Sequence, residues 1–359
     1  MGFLILYGDL RVLPTGGTLF FISPSLFEKI KIFKGEIDMK KKITALVMAA
    51  AMCLSFAACG NGGDDTAKDT YTVGICQLAQ HDALDAATKG FKDALKAELG
   101  DKVEFVEQNA SNDIPTCGTI CNGFVSDGVD LILANATPAL QAAVAATQTI
   151  PILGTAVTEY GVALDIENFG GTVGGNVSGT SDLAPLDQQA DMFSELLPDA
   201  KTIGILYCSA EANSVYQANV VKAALEAKGL TVKIYTFSDS NDVATVTATA
   251  CDECDALYIP TDNTAASCSE AINNVALPKN TPIIAGEKSI CEKCGIATLS
   301  IDYYELGVTT GKMAAKILKG ESNISEMPIE YYQSPVKMFN AEICDQLGIT
   351  VPSDYTAIE

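Results

Sequence analysis

Few residues in this chain can do covalent chemistry. The 359 residues hold one histidine, His81, no tryptophan and a single arginine, Arg11. A Ser-His-Asp triad would have to recruit His81 from a distance, and no G-x-S-x-G turn supplies a nucleophile. No Walker sequence and no G-x-G-x-x-G occurs; Gly170-Gly171-Thr172-Val173-Gly174-Gly175 reads as a glycine-rich turn. Neither a cofactor nor a metal is expected from these patterns. Two acids are better placed. Glu211 and Asp262 each follow an apolar run and precede a helical pattern. Such a pair could act as the two carboxyl groups of a glycoside hydrolase, or oppose the ammonium of a ligand. Each could also be an ordinary helix cap.

The charge balance removes another class. There are 23 basic and 45 acidic residues, a net of −22. Binding nucleic acid needs clustered Lys and Arg, so no nucleic-acid partner is expected. Past Ala58 the chain has 16 basic and 41 acidic residues and no arginine. Any anionic group must then be held by lysines, hydroxyls or backbone N–H groups, without a bidentate guanidinium. A 48% hydrophobic composition rules out a disordered acidic tail. The length fits two domains at about 100–200 residues each.

The elements that would position these residues alternate. Strands are expected at 71–75, 103–106, 129–133 and 151–154, and again at 202–207, 231–237, 256–260, 282–285 and 297–301. Helices are expected between them, at 81–99, 114–127, 137–147, 186–197, 214–228, 243–250, 264–275 and 303–318. Short buried strands separated by helices of 10–15 residues indicate right-handed βαβ units. The pattern runs twice, so the expected fold is α/β, with two Rossmann-like lobes of parallel sheet around a ligand cleft. Lobe 1 would be 71–180 plus 302–327, and lobe 2 would be 181–301 plus 328–359. Three crossings, near 176–181, 301–302 and 328–330, would restrict motion to hinge closure.

The first seventy residues read as addressing. Met39-Lys40-Lys41-Lys42 precedes an apolar run from Ile43 to Ala58, which ends at Cys59. This is similar to a bacterial lipoprotein signal, 39–58, whose cysteine is lipidated. Residues 1–38 then read as a misassigned leader, and 59–70 as a flexible tether. Ten cysteines remain beyond Cys59, among them Cys251-Asp-Glu-Cys254 and Cys291-Glu-Lys-Cys294. The 36 residues between these pairs exceed zinc-ribbon spacing. Local disulfides are the first reading, free thiols the second and zinc the third.

Taken in order, several segments resemble the substrate-binding lipoproteins of ABC transporters with the type I periplasmic-binding fold, tryptophan-binding type. They are Val73 to Gln77 with His81 to Asp85; Ala136-Thr137-Pro138; Ala156-Val157-Thr158; Gly175 to Asp182; Glu211 to Ser214; Pro260 to Asn263; and Asp302 to Gly307. Where that family usually has Asp-Pro after the threonine, this chain has Glu159-Tyr160. The resemblance implies a lipid-anchored protein outside the cytoplasm that captures an aromatic amino acid and delivers it to an ABC permease. The alternatives are an anchored ligand sensor and a carboxylate-pair hydrolase. Ligands in doubly wound sheets lie beyond the carboxyl ends of the strands. The implied site residues are therefore Gln77, His81, Thr137, Pro138, Thr158, Glu211, Asn213, Ser214, Thr261, Asp262, Asn263, Asp302 and Tyr303. Within that set, Thr137, Thr158 and then Ser214 would hold the carboxylate. Asp262 and then Glu211 would face the ammonium, and Tyr303 would face the apolar body. His81 reads equally as a histidine that merely starts a helix.

Overall fold

The computed structural model describes residues 70–358 together with two short paired strands, Arg11–Val12 and Phe21–Ile22. The signal segment and Cys59 lie outside the described residues. Residues 67–359 form a unit of their own, built on two sheets.

The first sheet has strand order β11-β5-β4-β3-β1-β2, all parallel. Its strands are β1 (Tyr71–Gln77), β2 (Val103–Asn109), β3 (Leu131–Asn135), β4 (Ile152–Val157), β5 (Val177–Ser181) and β11 (Glu330–Tyr331). The joining helices are α1 (Asp82–Leu99), α2 (Ile114–Asp127), α3 (Thr137–Ala146) and the short α4 (Tyr160–Ala163). Strands β3, β4 and β5 are buried along their whole length, as expected of parallel strands covered on both faces.

The second lobe begins with α5 (Leu186–Leu196), β6 (Thr202–Cys208), α6 (Ala212–Ala227), β7 (Thr231–Phe237), α7 (Val243–Glu253) and β8 (Ala256–Ile259). It continues with α8 (Asn263–Ser267), α9 (Ser269–Ala276), β9 (Ile283–Ala285), α10 (Lys288–Cys294) and β10 (Ala297–Ser300). The chain then returns to the first lobe as α11 (Tyr303–Leu318), which packs along α1. This pairing depends on small residues. A Cβ on Gly307 would lie 2.0 Å from the Ala87 carbonyl oxygen, and one on Gly90 would lie 2.0 Å from that of Tyr304. The last elements are β12 (Val336–Phe339), α12 (Ala341–Leu347) and β13 (Thr356–Ala357). They complete a sheet of order β13-β12-β10-β9-β8-β6-β7, in which β12 runs antiparallel to β10.

Two expectations need correction. The helix expected at 264–275 is two helices, because the chain turns at Cys268 between α8 and α9. The third crossing lies later than 328–330. Glu330–Tyr331 pairs in parallel with Thr180–Ser181, so residues 328–331 belong with the first sheet and the chain crosses after Tyr331.

Candidate functional site

The carboxyl ends of both sheets face each other, and two side-chain contacts join the lobes there. His81 Nε2 lies 3.3 Å from Asn263 Oδ1, and Asn112 Nδ2 donates to Thr264 Oγ1 at 3.1 Å. A narrow space lies beside the first contact; about 280 Å³ there, open solvent included, is free of atoms, and only about 10 Å³ admits the centre of a water molecule. Its apolar wall is Ala83, Leu84, Ala156 and Ala266, and its polar wall includes His81, Thr158 and Asp182 from lobe 1 and the first crossing. Lobe 2 adds Asn213, Thr261, Asp262, Asn263 and Glu287, while Tyr303 enters from the second crossing. Seven of the thirteen residues implied by the sequence thus surround one cavity: His81, Thr158, Asn213, Thr261, Asp262, Asn263 and Tyr303.

The other six do not line it. Gln77 is spent within lobe 1. Its Nε2 donates to the Ala79 carbonyl and to Asp85, and its Oε1 accepts from Thr88. Thr137 and Pro138 are buried in the first turn of α3, and Ser214 is buried on α6, where it accepts from Asn213. Asp302 caps α11 by accepting from the Glu305 N–H and borders a neighbouring chamber with Tyr304 and Tyr332, which shares Ala83, Glu287 and Tyr303 with the cavity. Glu211 is fully engaged. Its Oε1 accepts from the N–H and hydroxyl of Thr264, and its Oε2 from the N–H and Nδ2 of Asn263.

Asp262 lines the cavity, yet both its oxygens are in use. Oδ1 caps α8 through the Ala265 N–H, and Oδ2 accepts from the Cys208 N–H, each at 2.7 Å. Burial, and next the nearby charge of Glu211, raise its pKa. Asp182 differs. Tyr303 donates to its Oδ2 at 2.9 Å, while Oδ1 is buried and has no partner. Burial pushes its pKa up to about 6, against hydrogen bonds from Thr158 and Tyr303; the charge of Glu287 adds to the rise. Reading the sequence for carboxylates after strands missed Asp182, which follows β5 directly at the lobe crossing. Glu287 was also missed. It caps α10 by accepting from the N–H groups of Ser289 and Ile290.

Two further buried atoms around the cavity have no partner, His81 Nδ1 and Asn213 Oδ1. The Asn213 amide is oriented by its Nδ2, which donates to the Thr261 carbonyl and to Glu211. Backbone strain gathers at the same end of the sheet: Ala136 has φ 93° and Ala156 has φ 52°. The Glu159-Tyr160 pair is architectural. Glu159 caps α4 through the Val162 N–H, and the buried Tyr160 hydroxyl donates to the Thr180 carbonyl.

The ten body cysteines are free thiols, contrary to the expected disulfides. Cys291 and Cys294 sit on α10, and Cys251 lies on α7 with Cys254 just past its end. Each pair thus occupies the end of a helix that precedes a strand. Among the described residues no three His, Cys, Asp or Glu side chains are arranged to hold a metal.

A tyrosine-binding protein of Clostridioides difficile is 36% identical over 305 residues, covering 80% of this chain and 87% of that protein. The crystal structure of an ABC domain in complex with L-Trp from Streptococcus pneumonia is 33% identical. It covers 80% of this chain and all of its own, with a TM-score of 0.77. The ligand-free, open structure of a substrate binding protein with adhesive properties from Clostridium difficile is 37% identical. It covers 81% of this chain and 99% of its own, yet its TM-score is only 0.62. Both sheets, their connections and these likenesses are those of the type I periplasmic-binding fold. The sequence pattern of the ABC transporter substrate binding proteins matches residues 72–357, and the chain belongs to that family.

Proposed function

We propose that this protein captures an aromatic amino acid outside the cytoplasm by hinge closure and delivers it to an ABC permease, held at the membrane through a lipidated Cys59. One observation carries the ligand reading. Three buried, unpartnered atoms border the cavity: His81 Nδ1, Asp182 Oδ1 and Asn213 Oδ1. His81 Nε2 faces the oxygen of Asn263; in the tautomer with the proton on Nε2, Nδ1 is an acceptor. Three acceptors, one of them on a carboxylate, suit an –NH₃⁺ group with its three donors. A sugar or nucleoside has no use for that buried charge.

Asp182 therefore replaces Asp262 as the first candidate for the ammonium, and Asp262 becomes the second. For the ligand carboxylate, α1 offers its start. It has no side-chain cap, and Ala83 and Leu84 of its first turn line the cavity. Its free N–H groups can supply donors that an arginine would otherwise provide. Tyr303, Leu84 and the alanines form the apolar side of the cavity. The names of the relatives, tyrosine-binding and in complex with L-Trp, point the same way. The hydrolase alternative loses its pair, because a Glu211 that accepts from four groups of Asn263 and Thr264 is not poised to transfer a proton.

Calorimetry with L-tryptophan, L-tyrosine, L-phenylalanine, L-leucine, D-ribose and a purine nucleoside tests the assignment. Binding of the aromatic amino acids is expected. Binding of leucine or ribose without them would overturn it. Metabolic labelling with a fatty acid, abolished by Cys59→Ala, tests the anchor.

A further inference from the structure

We infer that Glu211 is a positioning residue for closure, setting the hydrogen-bond polarity of the face that lobe 2 presents to lobe 1. It touches neither the cavity nor lobe 1. Yet two lobe 2 residues that meet lobe 1 through side-chain hydrogen bonds, Asn263 and Thr264, are both held by its carboxylate.

The argument is one of proton placement. A carboxylate can only accept. Thr264 gives its single hydroxyl proton to Glu211 Oε1 at 2.8 Å, so toward lobe 1 it can only accept. Asn263 gives Nδ2 to Glu211 Oε2 at 2.6 Å, which turns its oxygen outward. Lobe 2 thus offers two acceptors, and lobe 1 must answer with donors. It does so with Asn112 Nδ2 and His81 Nε2. The donor from Asn112 is built at some cost. Ser111 and Asn112 are both left-handed, with φ 55° and 62°. Their loop is pinned by the Asn112 N–H to the Leu78 carbonyl and by the Ser111 N–H to Asn109 Oδ1. Through Asn263 and the His81 ring, the same carboxylate leaves Nδ1 as an acceptor toward the cavity. That last link rests on the amino-acid reading above; the interlobe polarity does not.

The test is a double-mutant cycle on Glu211→Gln and Asn112→Asp. In Glu211→Gln one amide edge donates, so the backbone N–H bond at that edge is lost and the side chain there, Thr264 or Asn263, must reverse. Asn112→Asp sets an acceptor against an acceptor. Each single change should speed release of bound L-tryptophan or L-tyrosine by roughly ten- to a hundredfold, the worth of a charge-assisted hydrogen bond. In the double variant the Thr264 hydroxyl can accept from the new amide at position 211 and donate to the new carboxylate at position 112. Release should then be slower than in Asn112→Asp alone. Simple addition of the two losses would overturn the inference, as would a Glu211→Gln protein that melts early but releases ligand at the wild-type rate. Small-angle scattering on ligand-free protein scores the same cycle as the degree of compaction, and there too additive effects would refute it. Should calorimetry find no aromatic amino acid bound, the ligand reading fails while the scattering cycle still decides this one.

Discussion

The Tyr303 hydroxyl donates to Asp182 Oδ2 at 2.9 Å, joining the start of α11 to the first crossing and leaving Asp182 Oδ1 open to the cavity. Two of the three connections between lobes meet in this bond. The residue that would sense the ammonium is thereby bonded to the connection that must bend on closure.

Asp182 should make stability depend on pH in a definite direction. Its folded pKa, about 6, lies above the ordinary value of 3.8. An acid raised on folding holds its proton more tightly when folded, so its contribution is complete below about pH 4 and is lost as pH rises through 6. The shift corresponds to about 3 kcal/mol at most. Asp182→Asn should flatten this part of the profile and make the ligand-free protein more stable than wild type at pH 7.5. The same variant should bind aromatic amino acids about one to two decades more weakly at that pH. Chemical unfolding and calorimetry at pH 5 and 7.5 read both effects. Equal pH slopes in the two proteins would exclude the role.

Tyr303→Phe removes a bond that favours the ionised carboxylate. The Asp182 midpoint should rise above 6, and ligand affinity should drop by about tenfold near pH 6.5, with less effect at pH 8. Affinity curves against pH for wild type and variant are the measurement. A uniform loss at every pH would instead mean that Tyr303 acts only as a wall.

The alternation of strand and helix was legible because parallel strands buried on both faces read as apolar runs, as Leu131-Ile132-Leu133 does. The strand Val177–Ser181 was not, since four of its five residues are Ser, Gly or Thr. It is nonetheless buried, its polar groups met inside the fold: Thr180 Oγ1 bonds to Thr155 and Thr310. The segments that carry the family resemblance, which fall at the carboxyl ends of strands, bring seven of the implied site residues around one cavity. Position there could not tell one capping acid from another. Glu211 is consumed by residues 52 and 53 positions away, whereas Asp182 keeps an oxygen free because its neighbours supply too few donors. Such differences arise only when distant elements pack.

The α1–α11 seam should resist enlargement. Gly307→Ala places a methyl 2.0 Å from the Ala87 carbonyl oxygen. The helices must part, at a cost of about 1–3 kcal/mol. Because α11 starts at Tyr303, ligand affinity should fall as well. Gly118, in the middle of α2 with open space around its Cβ position, is the control. Gly118→Ala should stabilise by about 0.5–1 kcal/mol with affinity unchanged. If Gly307→Ala melts no lower than wild type, the close approach of these helices is not what holds them.

The thiols give the last test. Cys76, Cys117 and Cys121 are fully buried together in the lobe 1 core, while Cys251, Cys254 and Cys268 are partly accessible. Burial raises the pKa of each accessible thiol, and acidic neighbours add to the rise, Asp252 at Cys251, Glu253 and Asp255 at Cys254, and Asp262 at Cys268. At pH 7.5 few of them are thiolates, and the thiolate is the reactive form. A chromogenic disulfide reagent should therefore react slowly with the native body, at these three positions first, and with all ten cysteines only after unfolding in guanidinium. Intact mass should be the same before and after reduction. A mass gain on reduction, or fewer than ten thiols in denaturant, would restore the disulfide reading, and peptide mapping would then identify the bonded pairs.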